Sequence, residues 1–358
     1  MTDVLDALAE RVRAAAAKKT QLCIRAGGTK DFYGNTPRGE IFDPRGYSGI
    51  VDYEPTELVV TARSGTPLAE LETLLETRGQ MLAFEPPHFG AGATVGGCVA
   101  AGLAGPRRAS FGPTYGGVRD FLLGAKLVDG RGRLLSFGGT VMKNVAGYDV
   151  ARALAGSLGI LGIIVEASIK VLPKPVKEAT RTLRLDEGPG LACVNEWSGQ
   201  PLPVSATAWC GGELHVRLSG AEAAVRAAQA RIGGDAVEPE RAGAFWRGVR
   251  EHTHPHFAAN APLWRVSVPS TAEPLRLGGA ELIEWSGALR WLRSSAPAAQ
   301  IRARAAALGG HATLFRGGDR GVGAFTPLPG PLLAIHKRLK AEFDPSGIFN
   351  PGRMYEAL

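Results

Sequence analysis

The chain contains 358 residues, of which 45% are apolar and 21% are charged, and its mean hydropathy is −0.01. These values are typical of a globular protein of about two domains and exclude a disordered or collagen-like chain. The net charge of +7 favours anionic partners, but the sequence lacks the basic tracts with interleaved aromatic residues that are typical of nucleic-acid binding.

The N-terminal segment from Asp3 to Lys19 is amphipathic and charged, and it lacks the apolar core of a secretory signal. No uncharged apolar run reaches about 18 residues, so no membrane-spanning helix is predicted. The four cysteines contain no CxxC pair, which argues against an iron–sulfur or zinc site in this chain. We therefore expect a cytoplasmic protein without a metal, with any membrane attachment made through a partner.

Short apolar runs and turn residues predict the elements of the first 175 residues. A proline at the first helical position marks the start of the first of these helices. The predicted strands are Leu22–Arg25, Gly49–Tyr53, Leu58–Ala62, Phe121–Val128, Arg133–Phe137 and one within Leu161–Leu172, and the predicted helices are Pro67–Thr77 and Tyr148–Ala155.

Pro173 and Pro175 mark the predicted domain boundary, since two prolines two residues apart stop both helix and sheet. Beyond them, strand-like runs alternate with alanine-rich helices, which predicts a second α+β domain with an antiparallel sheet. Its strands are Arg181–Leu185, Val204–Cys210, Glu213–Leu218, Leu263–Val268, Glu281–Trp285 and Ala288–Leu292, its helices are Ala221–Arg231 and Ala296–Leu308, and a final helix is predicted over Pro331–Phe343.

Arg25-Ala-Gly-Gly-Thr-Lys30 directly follows an apolar strand. Its glycines can present consecutive backbone N–H groups to an anion, and Thr29 and Lys30 can add side-chain donors. The spacing matches neither a P-loop nor a dinucleotide-binding GxGxxG motif. Taken alone, the segment is more typical of a tight surface turn.

Pro86-Pro-His-Phe-Gly-Ala-Gly-Ala-Thr-Val-Gly-Gly97 contains four glycines in eight residues, and Arg107 and Arg108 follow it. Such a stretch can form a groove in which backbone amides touch a ligand. The alternative is a close contact between two helices, which would not need the adjoining charges.

Lys143-Asn-Val-Ala-Gly-Tyr-Asp149 and the glycine-containing run from Ala155 to Ile164 form a third candidate segment. The lysine and asparagine supply a cation and amide donors near a buried strand. A nucleophile elbow is excluded, because Ala155 stands where the Gly-x-Ser-x-Gly motif requires glycine.

These blocks, in this order, resemble the FAD-binding domain of the vanillyl-alcohol oxidase/PCMH flavoprotein superfamily. The matching segments are Arg25–Lys30, Gly92–Gly97, Phe111–Asp120, Lys143–Asp149 and Gly159–Gly162. Together with Leu263–Pro269, Trp285–Trp291 and Phe343–Met354, they resemble the E subunits of bacterial glycolate oxidases (glycolate dehydrogenases) over nearly the whole chain.

The resemblance implies an α+β architecture of three parts. Residues 1–175 would form the two-lobed PCMH-type FAD-binding domain, and residues 176–325 a smaller α+β domain of the substrate or cap type with an antiparallel sheet. Residues 326–358 would form a C-terminal helix and tail that pack back on the FAD-binding domain.

FAD is the implied cofactor. Because His88 and Cys98 lie near the second block without matching the positions of covalent attachment, we expect noncovalent binding. The implied cofactor-binding residues are Arg25, Ala26, Gly27, Gly28, Thr29, Lys30, Pro87, Gly92, Ala93, Thr94, Val95, Gly96, Gly97, Gly112, Tyr115, Arg119, Asp120, Lys143, Asn144, Gly147, Tyr148, Asp149, Gly159, Gly162, Ile163, Ile164 and Asn350.

The implied catalytic residues are His311, as the base that takes the hydroxyl proton, and Arg316, as the holder of a substrate carboxylate. A hydrogen-bonded structural role for His311 is an equal alternative. His252-Thr-His-Pro-His256 is interpreted as a solvated loop rather than a metal site.

The implied function is that of an FAD-binding subunit that oxidises glycolate to glyoxylate in a complex with a homologous FAD-containing subunit and an iron–sulfur subunit. The implied location is the cytoplasm, at the inner membrane only through those partners. Two alternatives stay open: a self-sufficient FAD-dependent enzyme for another 2-hydroxy acid or alcohol, and an FAD-binding scaffold without its own catalysis.

Overall fold

The computed structural model describes residues 2–111, 115–139, 149–258 and 260–358. The α-helices are α1 (Thr2–Lys18), α2 (Leu68–Glu76), α3 (Val95–Ala101), α4 (Val118–Phe121), α5 (Val150–Leu154), α6 (Glu187–Ser198), α7 (Glu222–Ile232), α8 (Pro239–Glu251), α9 (Ala298–Ala307) and α10 (Gly330–Phe343).

The strands before Lys174 are β1 (Leu22–Ile24), β2 (Glu40–Phe42), β3 (Ile50–Glu54), β4 (Val59–Arg63), β5 (Gln80–Met81), β6 (Leu122–Val128), β7 (Leu134–Gly138), β8 (Ile163–Lys170) and β9 (Leu172–Pro173). Those that follow are β10 (Lys177–Arg184), β11 (Val204–Cys210), β12 (Glu213–Gly220), β13 (Asp235–Val237), β14 (Leu263–Ser267), β15 (Ala280–Glu284), β16 (Leu289–Arg293) and β17 (His311–Arg316).

The N-terminal region, residues 2–173, is built on a five-stranded antiparallel sheet in the order β3-β4-β8-β6-β7. Strand β8 lies at its centre, and its side chains alternate between two cores. Ile164 packs with α2 and α3 on one face, and Ile163 and Val165 pack with α1 on the other. The separate strands β1 and β2 pair in parallel.

The middle region, residues 177–325, contains an eight-stranded sheet in the order β13-β10-β12-β11-β15-β16-β14-β17. Every pairing in it is antiparallel. Helices α6, α7 and α9 cover one face. The opposite face packs on residues of the N-terminal region through a cluster that includes Leu282, Trp291 and Phe315.

The C-terminal segment lies against β1. The amide of Leu22 donates to the carbonyl of Ile348 at 2.7 Å, and the amide of Asn350 donates to that of Leu22 at 2.9 Å. Just before this contact, the buried ammonium of Lys340 donates to Asp344 at 2.6 Å and to the carbonyls of Ile160 and Phe349. The end of the chain therefore completes the N-terminal region.

The predicted strands are confirmed, with shifts of a few residues at their ends, and so are the helices over α2, α7, α9 and α10. Of the helix predicted over Tyr148–Ala155, the described part is α5, and Tyr148 lies outside the described residues. The elements that were not predicted are α1, α3, α4, α6 and α8 and the strands β2, β5, β9, β13 and β17. None of the helices in the described ranges is long and apolar enough to cross a membrane.

Candidate functional site

A groove in the N-terminal region collects residues from the first, second and third candidate segments and from the C-terminal segment. Its lining includes these predicted residues: Arg25, Ala26, Gly27, Gly28, Thr29, Lys30, Gly92, Thr94, Gly96, Gly97, Gly159, Gly162, Ile164 and Asn350. Sequence reasoning missed further lining residues, namely Ile24, Asp31, Pro44, Ser64, Ala100, Ala101, Leu158 and Arg353.

The loop after β1 forms one wall of the groove. Gly28 has a φ of +69°, a conformation that favours glycine. A Cβ at Gly27 would overlap the carbonyl oxygen of Gly92, so only glycine allows these two loops to meet. The Nε atom of Arg25 donates to Asp31 at 2.6 Å and closes the loop.

Lys30 brings a cation to this wall. Its Nζ atom donates to the carbonyl oxygen of His88 at 3.2 Å and to Thr29 Oγ1 at 3.4 Å. It forms no ion pair with any carboxylate in the described part of the chain. Burial lowers its pKa. A partly buried cation without a counter-ion is stabilised by an anionic ligand.

Helix α3 forms the floor, and its small residues serve two purposes. Thr94 caps the helix by accepting a hydrogen bond from the amide of Gly97 at 3.2 Å. A Cβ at Gly96 would come within 2.6 Å of Ser64 Cβ, so this glycine also permits close backbone packing. This contact is made with the residue after β4 and not with a second helix, and Gly96 and Gly97 both line the groove.

Asn350 joins the walls of the groove. Its Oδ1 atom accepts from the amide of Ile24 at 2.7 Å, and its Nδ2 atom donates to the carbonyl of Leu158 at 2.6 Å. Arg353 donates to the carbonyls of Lys30 at 3.2 Å and Asp31 at 3.1 Å, and thereby supports the first loop.

Several predicted cofactor residues lie elsewhere. Ile163 points into the core against α1, and Pro87, Ala93 and Val95 are buried without lining the groove. Asp120 accepts from the amide of Gly117 at 2.8 Å, and Asp149 caps α5. Tyr115 and Arg119 are exposed outside the groove, while Gly112, Lys143, Asn144, Gly147 and Tyr148 lie outside the described residues.

Arg265 on the sheet face of the middle region and Arg108 of the N-terminal region both lie against the ring of Trp285. The guanidinium groups of Arg108 and Arg265 lie 4.6 Å and 5.3 Å from the centre of the Trp285 ring. Neither forms an ion pair with another described residue. Burial lowers the pKa of Arg265, and Arg108 adds to this effect. Two cations on one indole without a counter-ion form a candidate site for an anion.

Glu284 lies on the same sheet face and is 3% exposed. Its Oε2 atom accepts from Trp291 Nε1 at 2.7 Å, whereas its Oε1 atom has no hydrogen-bond partner among the described residues. Burial raises its pKa to about 7. A carboxyl group with a pKa near neutral pH is suited to general base catalysis, and the unpaired Oε1 atom of Glu284 is itself buried.

His252 corrects the interpretation of residues 252–256 as a solvated loop. The ring of His252 is buried, stacks on Phe257 with centroids 3.9 Å apart, and contacts Phe89 and Trp291. The surrounding aromatic residues exclude water from it, and this burial lowers its pKa well below the usual value. The described residues contain no group of side chains arranged to hold a metal ion.

The structure does not bring His311 and Arg316 together. They lie at opposite ends of β17, where His311 pairs with Ser267 and Arg316 with Leu263. Five residues of a strand span roughly 17 Å. The roles of His311 as base and of Arg316 as the holder of a substrate carboxylate stay predictions. The guanidinium of Arg316 lies 4.1 Å from the Phe32 ring centre.

Neither candidate for covalent attachment is poised as a nucleophile. His88 Nε2 lies 2.9 Å from Glu72, and Cys98 is buried in α3, where desolvation raises its pKa to about 12. A thiol in this state is not ionised near neutral pH. Noncovalent attachment stays a prediction.

Comparison with known proteins identifies the family. The family described as FAD binding domain matches residues 4–152. Over 356 residues, the sequence is 48% identical to glycolate oxidase subunit GlcE of Escherichia coli (strain K12), with 99% of each chain covered. The chain belongs to the GlcE family. FAD as the cofactor is thereby confirmed.

Other relatives of this GlcE family member match a smaller part of it. Glycolate oxidase subunit GlcD of Bacillus subtilis (strain 168) is 32% identical over 131 residues, which are 37% of this chain and 27% of GlcD. Alkyldihydroxyacetonephosphate synthase shares the fold with a TM-score of 0.67 at 15% identity, over 96% of this chain and 75% of the synthase. The predicted α+β, PCMH-type fold is confirmed.

Proposed function

We propose that this chain is the FAD-binding subunit of a complex that oxidises glycolate to glyoxylate. The observation that carries the proposal is the groove, where backbone amides, closely packed glycines and the unpaired cation of Lys30 converge. This donor set suits the pyrophosphate and the flat ring system of FAD. The near full-length relationship to GlcE supports the choice of substrate.

Residues 25–30 would hold the pyrophosphate, and α3 with residues 158–164 would line the remainder of FAD. FAD, when bound, accepts the two electrons removed from the substrate. We assign cofactor binding to residues 1–175 together with the returning segment 326–358, and substrate binding to residues 176–325 with the facing part of the N-terminal region.

The sheet face would bind the substrate. Arg265 and Arg108 would hold the carboxylate of the hydroxy acid, because guanidinium groups bind carboxylates through paired charge-assisted hydrogen bonds. Glu284 would take the proton of the hydroxyl group at its Oε1 atom. The aromatic residues around His252 would exclude water from the substrate.

Electrons would leave through partners. The relative from Escherichia coli is named as a subunit of glycolate oxidase. The four cysteines of this chain are too dispersed in sequence for the usual iron–sulfur ligand pattern. We infer a homologous FAD-containing subunit and an iron–sulfur subunit as partners, and a cytoplasmic complex whose contact with the inner membrane is made by those partners.

The cofactor assignment is tested by flavin content. The purified chain should be yellow and release intact FAD on acid precipitation, and Lys30→Glu should weaken FAD binding by about 100-fold or more, since it replaces a cation near the pyrophosphate with an anion. Lys18→Glu, an equal charge change at the exposed end of α1, is the control. Full flavin content in Lys30→Glu would overturn the placement of the groove.

The substrate assignment is tested in the co-purified complex. Arg265→Gln should raise the KM for glycolate by about tenfold or more, because it removes a charged hydrogen-bond donor. Arg304→Gln, which alters an arginine paired with Glu273, is the control. An unchanged KM in Arg265→Gln would place the substrate on another subunit. Brisk glycolate turnover by the isolated wild-type chain would favour the self-sufficient enzyme.

A further inference from the structure

A second cleft, separate from the groove, opens between β10, β13 and α8. Its volume is about 530 Å³, and its lining includes Lys177, Arg217, Trp246, Arg247 and Arg250. None of its lining residues lines the groove. Neither membership of the GlcE family nor the binding of FAD assigns a role to this cleft.

The floor of the cleft is a network of ion pairs in which Glu178 is exposed and the other members are buried or half-buried. Glu85 accepts from Arg217 at 2.8 Å, and Arg107 reaches Glu178 at 2.6 Å. Although burial acts to raise the pKa of Glu85, Arg217 and Arg107 outweigh it and bring the pKa to about 2. Both carboxylates are thus neutralised by arginines and leave no net negative charge on the floor.

The rim of the cleft carries cations that the floor does not neutralise. Lys177 and Arg247 form no ion pair within the described ranges, and Arg250 uses its Nε atom to bind Glu251 at 2.8 Å. The lining as a whole contains four cations and three carboxylates. Glu85 and Glu178 are paired with arginines and Glu238 is the third carboxylate, so the lining keeps a net charge of +1.

One wall of the cleft is apolar. Val237, Pro239, Ala242 and Trp246 line it. The indole N–H of Trp246 donates to Thr180 Oγ1 at 3.0 Å, and this bond fixes the ring. A cationic rim beside a fixed apolar wall suits a molecule with an anionic group at one end and an apolar body at the other.

We propose that this cleft is a binding site for a small organic anion, a carboxylate or a phosphate ester with an apolar body. Lys177 and Arg247 bind the anionic group, and the wall around Trp246 binds the body. The site is independent of the proposed oxidation of glycolate, since it shares no residue with the groove or with the Arg108–Arg265 pair.

Calorimetric titration of the FAD-loaded protein tests the proposal with three probes of similar body. Benzoate carries a carboxylate, phenyl phosphate carries a phosphate, and benzyl alcohol is neutral. At least one anion should bind saturably with a Kd below about 1 mM, and benzyl alcohol should bind at least about tenfold more weakly, because it lacks the charged acceptor. The preferred anion identifies the anionic group.

Variants locate the binding. Combined Lys177→Glu and Arg247→Glu substitutions should weaken the preferred anion by about tenfold or more. Arg338→Glu, on the exposed side of α10, should leave the Kd unchanged. Arg265→Gln should also leave it unchanged, which separates this site from a substrate site on the sheet face. Lys177→Gln with Arg247→Gln provides a milder pair if the charge reversals prevent folding.

Three results would overturn the proposal: no saturable binding of either anion, equal binding of benzyl alcohol, or an unchanged Kd in both paired variants. Loss of anion binding in Arg265→Gln, with retention in the paired variants, would also overturn it. In that case the probe binds the sheet face instead.

Discussion

The groove of the N-terminal region and the inner face of the middle-region sheet are made of different groups. The groove uses backbone amides and glycines, and its main loop spans only residues 25–30. The facing sheet uses the side chains of Arg265 and Glu284, which come from separate strands. Short glycine-containing segments supply the first surface, whereas side chains brought together by strand pairing supply the second.

This difference affects how each surface tolerates substitution. A side chain added at Gly27 collides with the neighbouring loop, so the groove is sensitive to size. The sheet face holds a buried carboxyl group and guanidinium groups that form no ion pair within the described ranges, so it is sensitive to charge. Variants that change charge without changing size should consequently affect the sheet face most.

Glu284→Gln should produce the largest effect. If Glu284 takes the substrate proton, the substitution lowers glycolate turnover by the complex by about 10²–10⁴-fold. Glu281→Gln on the same strand is the matched control, because the side chains of residues 281 and 284 point to opposite faces and both carboxyl groups have a pKa raised to about 7 by burial. Steady-state kinetics at pH 8 provide the measurement.

A different outcome would revise the sheet face. If His252→Gln abolishes turnover while Glu284→Gln retains it with normal FAD content, the proton acceptor is the buried imidazole. The contrast between a backbone-built groove and a charge-built sheet would then be weaker than inferred.

Asp344→Ala should destabilise the N-terminal region by about 3–5 kcal/mol, since it leaves the buried ammonium of Lys340 without its partner. Urea unfolding followed by far-ultraviolet circular dichroism measures the change, because all six tryptophans lie between residues 197 and 291. Glu10→Ala, which breaks an exposed ion pair with Arg13, should cost less than about 1 kcal/mol. Equal effects from both substitutions would show that burial of the first pair has no energetic consequence.

Glu284 should also make stability depend on pH. Its pKa is raised from 4.5 to about 7, so the folded state binds its proton more tightly than the unfolded state does. Its stabilising effect is complete below pH 4.5 and is lost as the pH rises through about 7, a change of about 3 kcal/mol. Glu284→Gln should thus be more stable than wild type at pH 8.5 and similar at pH 4.5 in urea unfolding. A difference of the same size at both pH values would exclude this titration as the cause.

His311→Ala should have the smallest effect. His311 is exposed at the start of β17, distant from Arg316. Turnover by the complex should fall by much less than the ~10²-fold typical of a lost general base. A loss of 10² or more with FAD retained would restore His311 as the base and extend the substrate site to the end of the sheet.

The sequence predicted most strands of both regions, because apolar alternation reports directly on burial. It missed α3, since Gly96 and Gly97 lower helix propensity and are typical of a loop. Residues 252–256 were predicted to form a solvated loop. Three histidines near a proline do not indicate which residues will surround them, and the aromatic neighbours of His252 are brought to it by the fold.

In the candidate site as well, some residues could be named from the sequence and others could not. The groove residues were named from motifs and a family resemblance, and many of them converge in the structure. Arg265 and Glu284 were not named, although both were visible in predicted strands. Their proximity depends on β14, β16 and β15 lying side by side, and no local pattern encodes that order.

The contact of Asn350 with Ile24 has a consequence for biosynthesis. The two residues are 326 positions apart, so a ribosome finishes one wall of the groove long before it produces the residue that joins the walls. A nascent chain that has emerged only through β17 carries the glycine loops but lacks Asn350, Lys340 and Asp344. The walls of the groove can therefore be joined only after residue 350 has left the ribosome.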